Sequence, residues 1–134
     1  MADNNILGSI YYEGNVDELK QGSRLYNATG TSHDNIIYNG VEYDPTMIDT
    51  WAIFTGQSKE QIGNICVNQN CVASTNIKKR DLVGAHVTVE DLGRDVQSGD
   101  VVYLIPLCRS CNSTGRGLNI VLRCDVRSPA MKWH

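Results

Sequence analysis

Alternation of apolar and polar positions is clearest in the second half of the chain, where it marks three strands: Leu82 to Val89, Val101 to Leu107 and Leu118 to Val126. In the last of these Leu118, Ile120, Leu122, Cys124 and Val126 share one face, with Asn119, Arg123, Asp125 and Arg127 opposite. Cys124 accordingly reads as a small buried hydrophobe. The polar stretch EDLGRDVQSGD between the first two strands fits the long tip of a β-hairpin.

The first half carries shorter β-prone segments bounded by turn residues, GSIYY, NIIYNG and VEYD. Two helices are expected beside them. Asn15 caps a brief one over Val16 to Lys20 that Gly22 ends. Asp44-Pro45 opens a longer one through Thr46 to Phe54, with Pro45 at the first helical position, Met47, Ile48, Trp51 and Phe54 at core spacing, and Gly56 as the stop. Trp51 reads as buried packing. No internal repeat or low-complexity tract interrupts this order, so the 134 residues read as one α+β domain, with a β-prone and helical part over 1–60 and a β-rich part over 61–134.

Composition narrows the class. With 41% hydrophobic and 20% charged residues the chain is of the globular kind, and it contains no apolar run long enough to span a membrane and no basic, apolar leader at its start. A cytoplasmic location is the expectation that follows. The net charge of −3 hides an asymmetry: residues 1–75 hold 3 basic and 9 acidic side chains, residues 76–134 hold 9 and 6. Nucleic-acid contact by the basic half stays open, but mixed charges of this kind more often form a solvated surface.

The basic half is also the cysteine half. Cys66-VNQN-Cys71 and Cys108-RS-Cys111 are two close pairs 36 residues apart, which is metal-ligand spacing. Four thiolates suit the tetrahedral, soft-ligand preference of Zn2+, and a site filled by four cysteines is structural because no coordination position remains for substrate. Disulfides are the alternative; the odd number of cysteines favours metal.

The stretch from Cys66 to Asn112 resembles the HNH, or His-Me finger, nucleases, in CVNQNC, GAHV and LIPLCRSCNS. The same three motifs look like those of small bacterial proteins of unassigned function. The resemblance covers 47 residues and implies a treble-clef-like zinc core, with His86 at the position of the family's general base and Asn112 after the second cysteine pair. The chain departs from the family at Ala85, where a metal-binding Asp or His is usual, and at the two glycines after Asn112, where a ligand-bearing helix would run. Asp125 and His134 are the remaining candidates for a catalytic metal.

Three readings of His86 follow: a structural histidine bonded to a backbone carbonyl or a metal-bound sulfur, a catalytic base, or a zinc ligand in place of a cysteine. His33 has no partner at useful spacing. The sequons at Asn27 and Asn112 are discounted, since a glycan on Asn112 would abut the cysteine pair. The expected function is a non-enzymatic, zinc-stabilised binding or assembly module with a protein partner or a second copy. The rivals are an HNH-type nuclease using His86 and Asn112, and a self-assembling surface or filament subunit suggested by the Tyr- and Asn-rich first half.

Overall fold

A computed structural model of the chain describes residues 9–31, 35–62, 65–71, 82–113 and 120–134. Eight strands make one sheet in the order β4-β3-β1-β8-β6-β5-β2-β7. They are β1 (Ile10–Leu19), β2 (Arg24–Asn27), β3 (Ile36–Tyr38), β4 (Val41–Tyr43), β5 (Leu82–Thr88), β6 (Val101–Cys108), β7 (Ile120–Val121) and β8 (Val126–Trp133). Helix α1 spans Ile48–Thr55, a 3-10 turn covers Lys59–Ile62, and α2 is the single turn Arg109–Ser113. The domain is therefore mixed, but the sheet dominates the helices.

The expected hairpin forms as β5 and β6, in register from Leu82 opposite Cys108 to Val87 opposite Tyr103. The second hairpin, β3 to β4, turns on Asn39 and Gly40, which hold φ of 52° and 77°. An Asn-Gly pair is suited to a two-residue turn in which both central residues adopt positive φ.

Residues Val16 to Leu19, expected as a helix, instead continue β1. They pair antiparallel with Pro129 to Val126 of β8, across a register shift between Tyr12 and Val16 where Gly14 adopts φ of 97°. A five-residue helix has little stability of its own, and the ladder to β8 overrides the capping signal. Pro129, which has no N–H for a ladder, falls beside that shift.

The strand expected over Leu118 to Val126 is also corrected. Its described part is broken: β7 ends at Val121, Leu122 bridges to Asn68, residues 123–125 turn, and β8 begins at Val126. Leu118 and Asn119 lie outside the described residues. Cys124, in the turn, is half-buried against the core and not fully inside it.

Helix α1 starts three residues later than Pro45 suggests. Asp44 Oδ1 accepts from the Thr46 amide at 2.9 Å, and the segment that follows leans on β5, with Gly84 donating to Thr46 O and Met47 bridging Val83. Met47 thus becomes the N-cap and is 50% exposed, so it leaves the core stripe. Trp51 and Phe54 stay buried, and Trp51 Nε1 donates to Arg127 O at 2.8 Å, tying α1 to β8. Gly56 closes the helix at φ of 71°, as expected. The core that results runs from Ile10, Ile36 and Met131 through Leu104 and Ile105 to Leu122 beside the cysteines.

Candidate metal centre

Each cysteine pair is presented by a different kind of local structure. Cys108 is the last residue of β6 and Cys111 lies in the one turn of α2 that follows, so the two-residue spacing folds both sulfurs to one side. Cys66 and Cys71 flank a loop whose backbone is held at both sides. The Val67 amide donates to Pro106 O at 3.2 Å, the Gln69 amide to Val121 O at 2.8 Å, and Cys71 N closes the loop on Asn68 O at 3.1 Å. The β5–β6 hairpin then carries the second pair against the first.

All four residues are buried, none more than 4% exposed, and their sulfurs lie within 4.8 Å of one another. Cys71 Sγ and Cys108 Sγ are 3.6 Å apart. A tetrahedron with metal–sulfur bonds of about 2.3 Å has edges of about 3.8 Å, so the spacing fits a single ion. No disulfide joins any of the five cysteines, and the cross-linked alternative is set aside. The sulfurs do not ionise independently. A hydrogen bond from Cys111 pulls the Cys66 thiol down to about 5, against the effect of burial and with help from the Cys108 and Asn68 amides; Cys111 is pushed far up by the same contact. Closely packed thiolates repel one another, and a bound cation relieves that repulsion.

Asn68 and Arg123 belong to this centre and are absent from the candidates drawn from sequence. Asn68 is 0% exposed, and its Nδ2 lies 3.7 Å from Cys111 Sγ. Arg123 donates from Nε to Cys66 O at 2.9 Å and from Nη2 to Asn68 O at 3.1 Å. The only signal for Asn68 was its place inside the C-x4-C loop; for Arg123 there was none, because its contacts span 55 and 57 residues of chain.

His86 lies elsewhere. Its cross-strand partner is Leu104, and Leu82, opposite Cys108, is four residues away along β5, about 13 Å at the usual rise of a strand. It is neither a ligand in place of a cysteine nor bonded to a sulfur. Nδ1 meets Thr31 Oγ1 at 2.9 Å instead, and that hydroxyl donates its own proton to Ala28 O at 2.8 Å. A hydroxyl with its one hydrogen committed must accept, so Nδ1 carries the proton and Nε2 is the bare nitrogen. Nε2 is buried without a hydrogen-bond partner. Burial depresses the imidazole from 6.5 to about 4, against a smaller opposing effect of its contact with Thr31.

The other residues weighed for a catalytic site are not gathered around His86. Asp125 Oδ1 accepts from the Gln21 amide at 2.7 Å, and His134 Nδ1 lies 3.3 Å from Ser98 Oγ with its ring edge-on to Tyr11. Asn112 is half-buried in α2, directly after Cys111. His33 and the glycines at 115 and 117 lie outside the described residues. Asn27 is in β2, paired with Val87. Among the described residues the four cysteines are the only group placed to hold a metal ion, and no helix there is long and apolar enough to cross a membrane.

What the fold and site define together is a small sheet-rich domain built around a buried four-cysteine cluster of metal-binding type. No protein family, curated protein or solved structure matches the chain.

Proposed function

We propose that the chain is a zinc-stabilised binding or assembly module that performs no catalysis. The observation that carries this reading is the burial of four sulfurs within 4.8 Å of one another. Four thiolates complete the tetrahedral shell of zinc, so neither water nor substrate has a coordination position. Cys66, Cys71, Cys108 and Cys111 would hold the ion, and its role is to clamp the loop before β5 to the end of β6. The order of a cysteine-flanked loop, a hairpin and a helix start bearing the last ligand supports a treble-clef-like description of the centre.

The nuclease alternative needs a base with access to a water and a second cation near it. His86 has an imidazole pushed down to about 4 and a bare nitrogen enclosed by protein, while Ala85 beside it offers no ligand. A weak, enclosed base is poorly suited to activate water near neutral pH.

Metal analysis of freshly purified protein, joined to X-ray absorption at the metal edge, tests the centre. The expected result is about one zinc per chain with sulfur-only coordination near 2.3 Å. Incubation of wild type and His86→Ala with DNA and Mg2+ or Mn2+ tests the absence of catalysis. Cleavage by wild type that disappears in His86→Ala at unchanged zinc content would overturn the module reading.

A further inference from the structure

Four thiolates around one divalent cation carry two net negative charges, and here that charge would sit in a nearly dry pocket. Burying charge is costly unless hydrogen bonds and opposite charge are arranged around it. Two side chains supply both. Asn68 directs Nδ2 at Cys111 Sγ, 3.7 Å away, and its orientation is fixed from the other end, because Oδ1 accepts from the Asn70 and Val121 amides at 3.1 Å each. The amide therefore cannot turn its oxygen to the sulfur without losing two hydrogen bonds.

Arg123 reaches the same loop from the turn between β7 and β8. Its guanidinium spans the carbonyls of Cys66 and Asn68, while its own amide donates to Val67 O at 2.8 Å. Among the described residues the ion pairs are Lys20 with Glu18 and Arg94 with Asp100, so no carboxylate neutralises Arg123 there. A half-buried cation with no acidic partner among the described residues, bonded to the backbone of two residues of a thiolate loop, is placed to offset an anionic centre.

We propose that Asn68 and Arg123 are positioning residues of the metal centre: Asn68 orients Cys111 and withdraws charge from its sulfur, and Arg123 clamps the Cys66–Cys71 loop and balances its charge. This rests on the zinc reading above. Removal of side chains that orient metal ligands typically weakens metal binding about 10- to 100-fold, and that range is expected for Asn68→Ala and for Arg123→Met.

The test is competition of full-length protein against a chromophoric zinc chelator, with the absorption spectrum of the cobalt-substituted protein as a second readout. Asn68→Asp separates the two ends of the side chain: it keeps an acceptor for Val121 and Asn70, so the loop stays tied, but presents a carboxylate to Cys111. It is expected to bind zinc more weakly than Asn68→Ala, and both are expected to shift the sulfur-to-cobalt charge-transfer band. Arg123→Lys, which keeps the charge but not the fork, is expected to fall between wild type and Arg123→Met. A wild type that holds one zinc, with all four variants within about threefold of its affinity and the cobalt band unmoved, would overturn the proposal alone. A wild type that holds no zinc would overturn it together with the reading on which it rests.

Discussion

Acid should destabilise this protein through His86 by an amount that the structure sets. The imidazole titrates at about 4 in the folded chain against 6.5 when solvated, because burial penalises the charged ring. Between those values the unfolded chain binds a proton that the folded one refuses, so stability is unaffected above about pH 6.5, falls as pH drops toward 4, and loses nothing further from this group below that. The 2.5-unit difference corresponds to about 3.4 kcal/mol at completion, and to about 2 kcal/mol at pH 5. No charged group enters among the causes of this shift, so salt should change it little. Denaturant unfolding of wild type and His86→Gln, near neutral pH and at about pH 5, isolates the effect, since protonation of the cysteines weakens both proteins alike. The variant is expected to be the less stable at neutral pH, losing the bond to Thr31, but to lose about 2 kcal/mol less than wild type on acidification. Parallel pH profiles for the two proteins would show that the ring is solvated in the folded state and would refute the reasoning.

Three further outcomes are expected. Cys108→Ser should abolish zinc binding and soluble folding, because structural sites of this kind contribute roughly 10–16 kcal/mol, whereas Cys124→Ser, in a half-buried turn, should cost no more than about 1 kcal/mol; comparable losses of soluble yield would mean that the ligand set is wrong. Gly84→Ala should destabilise by about 1–3 kcal/mol in urea unfolding, since its Cβ would stand 2.4 Å from Pro45 O and 3.0 Å from Leu104 Cδ1, and an unchanged midpoint would show that the 44–47 segment yields easily. Trp51→Phe should cost about 2–3 kcal/mol by leaving Arg127 O without its indole donor and shrinking a fully buried side chain; a change below about 0.5 kcal/mol would show that α1 is not anchored to β8 there.

What could be read from sequence was what local spacing encodes. The hairpin β5–β6, the Asn39-Gly40 turn, the Gly56 stop and the cysteine pairs each follow from a few neighbouring residues, and each stands in the structure. The failures share the opposite cause. Val16 to Lys20 is flanked by a helix cap, Asn15, and a helix stop, Gly22, but the conformation of Val16 to Leu19 is decided by Val126 to Pro129, more than a hundred residues away. β8 lies beyond the strand expected to end at Val126; Pro129 and the charges of Arg127 and Lys132 mask its pattern, and pairing with β1 and β6 supplies what the local sequence lacks. His86 alternates with apolar neighbours on one strand, and its environment was unreadable because every residue of β5 is buried, on both faces.

The two ends of the chain and the cysteine cluster solve different parts of one stability problem. Strands β1 and β8 close the middle of the sheet by long-range pairing, and the Trp51 bond to Arg127 O seals α1 over it, so that region is held by ordinary apolar burial. The other end has less to work with. β7 is two residues long, β2 is four, and the loop of Cys66 to Cys71 is neither helix nor strand. Beyond the two residue pairs of the β2–β7 ladder, the backbone bonds that hold the loop, Val67 to Pro106, Gln69 to Val121 and Arg123 to Val67, come one at a time. Edges this short make few ladder bonds of their own. A metal held by the four sulfurs would join this loop to the end of β6 and so tie a short edge of the sheet to the β5–β6 hairpin. On that argument the cluster stands at the end of β6, and not in the centre of the sheet, because that is where the long ladders give out.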